Sequence, residues 1–115
     1  EKVITRFKQP FTDYYLIEYL EDTIGGIRVV KMSNKSYRVS PIFILPEQQG
    51  NGIAQKVFEI IENIYQDARL WELDTIMQEE GLCHLYEKIG YKWTGKSKII
   101  NEKITIIFYE KSQII

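Results

Sequence analysis

What this sequence has little of narrows the field first. A single cysteine, Cys83, cannot close an internal disulfide, so the chain owes nothing to a secretory disulfide framework and fits a reducing compartment, the cytoplasm. Histidine is equally scarce. His84 stands alone beside that cysteine, which is no ligand set for a metal, and no metal is expected. Neighbouring residues of a helix point about 100° apart, so Cys83 and His84 are not a nucleophile and its base either. An excess of one charge is also missing, because 15 Lys+Arg stand against 16 Asp+Glu and the formal net charge is -1. That excludes the broad positive field on which duplex binding depends, so nucleic acid is not an expected partner. No run approaches the roughly 18 consecutive apolar residues of a membrane span, and a membrane is not expected either. Repeats and low-complexity tracts are absent.

What is present is enough for one core. With 44% hydrophobic and 13% aromatic residues, the 115-residue chain predicts a single domain over 1–115. The first half reads as strands. Tyr14–Leu20 is rich in aromatic and branched residues, Glu21–Gly26 reads as a turn, and Ile27–Val30 closes a hairpin. A second turn at Ser33–Ser36 leads to a strand from Tyr37 to Leu45, in which Pro41 cannot donate to a ladder and predicts an edge or a bulge. The period then changes. Ile53, Val57, Ile60, Ile61 and Ile64 line one face of a helix. Leu70–Ile76 alternates as a strand, and Leu82, Leu85, Tyr86 and Ile89 form a shorter helical stripe ended by Gly90. Tyr91–Trp93, a turn at Thr94–Ser97, a hairpin near Asn101–Glu102 and a β-branched run from Ile104 to Tyr109 complete the order β-β-β-α-β-α-β-β. Hairpins require antiparallel pairing and the strand–helix–strand unit a parallel crossover. The expected fold is therefore α/β (α+β), a mixed, mostly antiparallel central sheet with flanking helices.

The segment between the third strand and the first helix carries the chemistry. It reads Ile42-Phe43-Ile44-Leu45-Pro46-Glu47-Gln48-Gln49-Gly50-Asn51-Gly52-Ile53-Ala54. Two glycines one residue apart let the backbone turn sharply and bring N–H groups close to a ligand, and the helix start that follows adds about half a positive charge. Such a place suits phosphate oxygens. There is no Gly-Lys-Ser/Thr of a nucleoside triphosphate loop and no third glycine at the dinucleotide spacing. Taken alone, the two glycines read more readily as a tight turn before a helix.

Their flanks are more specific. Gln49-Gly50-Asn51-Gly52-Ile53-Ala54 resembles the Gln/Arg-x-x-Gly-x-Gly/Ala signature of the GNAT superfamily of N-acetyltransferases, with Leu45-Pro46 at the preceding strand end. Independently, Leu73-Asp74-Thr75 followed by Leu85-Tyr86-Glu87-Lys88-Ile89-Gly90-Tyr91 is similar to that family's later strand and its Leu-Tyr-Glu-Lys-Leu-Gly-Phe helix end. The resemblance covers roughly residues 12 to 110. Family members usually begin with a strand and one or two helices that wall the acceptor site, and only residues 1–11 precede the first hairpin here. With Glu1 in first place, the resemblance implies either that Glu1–Lys8 is the tail of a missing N-terminal helical part or that the chain is an abbreviated member whose acceptor site is completed otherwise.

The resemblance implies roles residue by residue. Ile42, Phe43 and Ile44 would pair their backbone with the pantetheine arm of acetyl-CoA. Gln49, Gly50, Asn51, Gly52, Ile53, Ala54 and Gln55 would form the pyrophosphate loop. Tyr86 would protonate the departing coenzyme A thiolate, a proton that a phenol near pKa 10 holds at neutral pH; on spacing alone it is simply part of an apolar stripe. Asp74 would be the base that deprotonates the acceptor amine, with Glu72 on the same strand face and Glu18 on the first strand as alternatives, all three equally readable as solvated strand residues. Glu79, where the family often has an Asn, departs from the pattern because a carboxylate only accepts hydrogen bonds. Lys96 and Lys98 could reach the ribose phosphate of the cofactor but read more readily as a solvated turn. The expected activity is direct acetyl transfer to a primary amine, of a small molecule or a peptide, since no covalent nucleophile offers itself. A non-catalytic acyl-CoA-binding module is the alternative, an interaction domain with an empty glycine loop is a third reading, and a homodimer is compatible with all of them.

Overall fold

The computed structural model describes residues 2–9, 11–49 and 52–113, the first eight by backbone alone. Seven strands and two helices follow in the order β1 (Lys2–Gln9), β2 (Thr12–Tyr19), β3 (Asp22–Ser33), β4 (Ser36–Ile44), α1 (Ile53–Ile64), β5 (Leu70–Ile76), α2 (Glu80–Lys88), β6 (Lys92–Ile99) and β7 (Thr105–Ser112). They form one sheet in the order β1-β2-β3-β4-β5-β7-β6. Every neighbouring pair is antiparallel except β4 and β5, which are parallel and bracket α1. The mixed sheet expected from the sequence is therefore present, and no helix among the described residues is long and apolar enough to cross a membrane.

Three readings of the sequence are corrected. Of the Glu1–Lys8 segment read as a helical tail, Glu1 lies outside the described residues and the rest is extended: Lys2–Gln9 is a strand, paired with β2 from Lys2↔Tyr19 to Gln9↔Thr12. Val3, Ile4, Thr5 and Phe7 supply the branched and aromatic residues that favour a pleated strand. Because β2 starts at Thr12, no helix is inserted between these two strands. Second, the turn after β2 is Leu20–Glu21, both at positive φ (51° and 70°), and Gly25-Gly26 lies inside β3. Those glycines serve close approach: a Cβ on Gly25 would stand 2.2 Å from the Phe43 carbonyl oxygen. Third, Thr94–Ser97 is not a turn but a register shift within β6, with Gly95 at φ 91°, while the hairpin expected near Asn101–Glu102 does join β6 to β7. The bulge predicted around Pro41 is found, since Ile27 pairs with Ile42 while Val29 pairs with Val39.

Both helices pack on one face of the sheet. Val57, Phe58 and Ile61 of α1, with Cys83 and Tyr86 of α2, bury against Ile17, Val29, Val39, Trp71, Leu73 and Tyr109. Phe58 meets the Tyr86 and Tyr91 rings edge-on, with centroids 5.9 and 5.8 Å away. Each such large apolar side chain contributes about 1.5–3 kcal/mol by leaving water. The opposite face carries Tyr14, Leu16, Arg38, Glu72, Asp74, Phe108 and, more exposed, Glu110; no helix of the described chain covers it.

Candidate active site

The seam between β4 and β5 is where the sheet opens. Its ladder runs only from Ser36↔Leu70 to Arg38↔Glu72, and from Val39 and Leu73 onward the strands part. A parallel pair has no hairpin to hold it together, and the β4 bulge turns that strand away just past the last rung. Between the parted ends lies a cavity of about 210 Å³, lined by Val39, Ile42, Asp74, Thr75, Leu82 and Tyr86 among others. Residues from β4, β5 and α2 thus converge on one space.

Tyr86 reaches that space from the buried side of α2, only 4% exposed and wedged among Phe58, Tyr91 and Tyr109. Burial, then the nearby Cys83 thiol and the Asp74 carboxylate, push its phenol up to about 12, because each disfavours the phenolate. Asp74 comes from the other side. The alternation of β5 buries Leu73 and Thr75 toward the helices and turns Asp74 to the open face. There Asp74 Oδ2 accepts from the Arg38 guanidinium at 2.5 Å, so an ion pair spans the seam where the ladder stops. Arg38 escaped the sequence reading, since an arginine on a strand looks like any solvated residue until the parallel register sets it beside Asp74. Of the alternative acids, Glu72 accepts from Ser36 Oγ at 3.3 Å two residues from Asp74. Glu18 is not brought together with them, because β3 and β4 lie between β2 and β5.

The loop side of the cleft is set by β4 and α1. Ile42, Phe43 and Ile44 pair with β3 through Ile27, Gly26 and Gly25, which leaves the β5-facing edge of the same strand outside the ladder. Gln49 donates its side-chain N–H to the Ile44 carbonyl at 2.8 Å and ties the loop to that strand. Gly50 and Asn51 lie outside the described residues. Gly52 is the N-cap of α1 at φ 73°, a conformation that favours glycine, and a Cβ there would meet nothing within 4 Å. Among the described residues no side chain caps this helix start and no acidic residue sits in its first turn. The backbone N–H groups at the start of α1 therefore have no side-chain competitor for an anion among the described residues. Ile53 is buried in the core, so it offers its main chain only, while Ala54 and Gln55 are half-buried. Glu79 precedes α2 as its N-cap without a side-chain cap bond, and His84 is exposed. Among the described residues no group of three or more His, Cys, Asp or Glu side chains could hold a metal ion.

A family model described as an acetyltransferase (GNAT) domain matches residues 1–113. The chain belongs to the GNAT acetyltransferase family. Solved structures share the family fold at low identity. An IAA acetyltransferase from Bacillus cereus superposes with TM-score 0.82 at 15% identity, covering 98% of this chain and 100% of that one. A GNAT family acetyltransferase from Elizabethkingia anophelis with acetyl-CoA bound gives 0.74 at 16%, over 90% and 78% of the two chains. A dodecameric spermidine N-acetyltransferase from Vibrio cholerae gives 0.76 at 18%, over 90% and 66%. A search of curated proteins finds no match.

Proposed function

We propose that this GNAT domain binds acetyl-CoA in the β4–β5 cleft and transfers the acetyl group directly to a primary amine of a small molecule or peptide. The observation that carries the reading is the meeting of Asp74 and Tyr86 on one cavity at the point where β4 and β5 part. The residues present fit the coenzyme. The ladder-free edge of β4 at Ile42–Ile44 suits the amides of the pantetheine arm, and the start of α1 beyond Gly52 suits the pyrophosphate. Acetyl-CoA supplies an activated thioester.

The chain's own residues then divide the proton work. Asp74 takes the proton from the acceptor ammonium, and the freed nitrogen forms a bond to the thioester carbonyl carbon. As the carbon–sulfur bond breaks, the Tyr86 hydroxyl gives its proton to the departing sulfur. The nitrogen, now bonded to carbon, gives up its second proton, which restores the Tyr86 hydroxyl, and Asp74 passes the first to water; the products are the amide, the coenzyme A thiol and one proton. Holding the reactants in one cleft supplies the rest of the acceleration. The lone cysteine fits a reducing compartment, and we place the activity in the cytoplasm on that ground.

The test is thermal unfolding with and without saturating acetyl-CoA, followed by thiol release with a panel of amines. Ligand at about a hundred times its Kd stabilises by about 2.7 kcal/mol, a rise of several degrees for a domain of this size. A rise with acetyl-CoA but not with ATP or NAD, together with amine-dependent thiol release, is the expected outcome. No rise overturns the coenzyme site, and a rise without thiol release in the presence of any amine favours the non-catalytic acyl-CoA-binding reading.

A further inference from the structure

Beside the cleft, on the face that no helix covers, lies a second and larger space that the coenzyme does not need. It has a volume of about 550 Å³ and is lined by Arg38, Glu72, Lys96, Phe108 and Glu110. It adjoins the first cavity, since Leu73 borders both. Register explains the assembly: Arg38 stands opposite Glu72, and Glu72 opposite Glu110, so three neighbouring strands present these side chains on one face. The register shift in β6 between Trp93 and Ser97 brings Thr94 and Lys96 over the same space, where Trp93 Nε1 donates to the Lys96 carbonyl at 3.0 Å and holds the bulge.

The charges are of both signs. Two cations and two carboxylates line the cavity, and the cation nearest the splay is paired with Asp74. An acceptor carrying only positive charge would enter against Arg38 and would leave the Arg38–Asp74 pair intact, with the base still occupied. An acceptor carrying a carboxylate as well has a different effect. A guanidinium offers five N–H donors in a planar fork that matches a carboxylate, so Arg38 can take that group while its hold on Asp74 relaxes. The same event that recognises the ligand then frees Asp74 to receive the ammonium proton. An α-amino acid bears both charges on one carbon, close enough to face the two halves of an ion pair only 2.5 Å apart.

Resting on the acetyltransferase reading, we infer that the acceptor is a zwitterionic α-amino acid: Arg38 and Lys96 hold its carboxylate, and Asp74 and Glu72 face its ammonium. The Phe108 ring lines the same cavity and offers an apolar surface to the ligand's side chain. Arg38 is in this view a specificity-determining residue that also controls the base.

The experiment uses the full chain with acetyl-CoA and thiol release. The acceptors are the twenty standard amino acids, the α-carboxamide of each, which keeps the shape and removes the negative charge, and spermidine as an acceptor of positive charge only. At least one amino acid is expected to exceed its own carboxamide in kcat/KM by about tenfold or more, since a site built for a charged group rejects the analogue lacking it. In Arg38→Gln that ratio should fall toward one, with Arg38→Lys between, while the acetyl-CoA thermal shift is kept. Spermidine or the carboxamides turned over as well as every amino acid, or no amino acid turned over at all, overturns the inference. The thermal shift separates the two levels: its loss in the unaltered chain overturns the coenzyme site and this inference with it, whereas its persistence without a carboxylate preference overturns the inference alone.

Discussion

β4 and β5 run together for three residues and then part, and the two ends of that seam are built from different materials. At the closed end Tyr37, Tyr65 and Trp71 stack with ring centroids 4.9–5.8 Å apart. Their polar tips are all engaged: the Tyr37 hydroxyl donates to Asp67, the Tyr65 hydroxyl to Asp13 at 2.5 Å, and Trp71 Nε1 to Gln113 at 3.1 Å. At the open end there is no ladder, one ion pair and a cavity. A gap between strands is unfavourable in itself, because backbone groups and apolar walls lose their partners. The aromatic clamp sets where the strands meet, and the parting follows from that fixed point and the bulge. Stability is thus concentrated at one end so that the other can stay open for a ligand.

The strongest way to break this contrast is Trp71→Ala. Trp71 is fully buried at the last closed rungs, and emptying such a site costs about 3–5 kcal/mol. Domains of this kind are stable by only about 5–15 kcal/mol. The melting temperature should fall by more than about 10 °C, and acetyl-CoA binding should weaken with it as the seam loosens. A variant that melts lower but binds acetyl-CoA as before would separate the clamp from the cleft.

At the open end the largest expected effect is that of Asp74→Asn, which keeps an oxygen for Arg38 and removes the proposed base. General-base removal costs about a hundredfold or more in rate, and kcat/KM for the amine should drop by that order with the melting temperature nearly unchanged. Tyr86→Phe should be milder, about tenfold in kcat, with acetyl-CoA affinity preserved because the ring still packs among its neighbours. Its pH dependence sharpens the assignment. The Tyr86 phenol is pushed up to about 12, so its proton is retained from neutral pH well past the ordinary phenol value of 10 and is lost only as pH nears 12. The rate should therefore show no Tyr86-dependent decline on the alkaline side below about pH 11. A limb near pH 9 that vanishes in Tyr86→Phe would contradict the burial-driven shift.

The sequence made the two ends unequally legible. Periodicity located α1 over Ile53–Ile64 and β5 over Leu70–Ile76 with the bounds the structure has, because a continuous apolar stripe and a strict alternation are local signals. Pro41 announced the bulge that parts the strands. The glycine loop and Tyr86 were legible only through two motifs read together. What stayed hidden was relational. Gly25-Gly26 looks like a turn until Phe43 is seen lying against it, and Arg38 looks solvated until β5 pairs beside it. Lys2–Gln9 was misread as helical because that expectation came from the resemblance rather than from its own branched and aromatic residues, whose partner β2 follows directly. Parallel pairing between residues some 34 apart leaves no local trace, and the open end depends on it.

The smallest effect tests the closed end from within. Tyr65→Phe removes one hydroxyl that donates to Asp13 and is hydrogen-bonded to Tyr15 Oη at 2.7 Å, while the ring keeps its contacts with Tyr37 and Trp71. A net hydrogen bond contributes about 0.5–1.5 kcal/mol and one to a charged group somewhat more, so about 1–2 kcal/mol of stability should be lost. Neither acetyl-CoA affinity nor kcat should move, because the hydroxyl serves the clamp and touches nothing in the cavity. If kcat falls while the melting temperature holds, the clamp is not a passive anchor, and motion at the closed end is transmitted to the gap it holds apart.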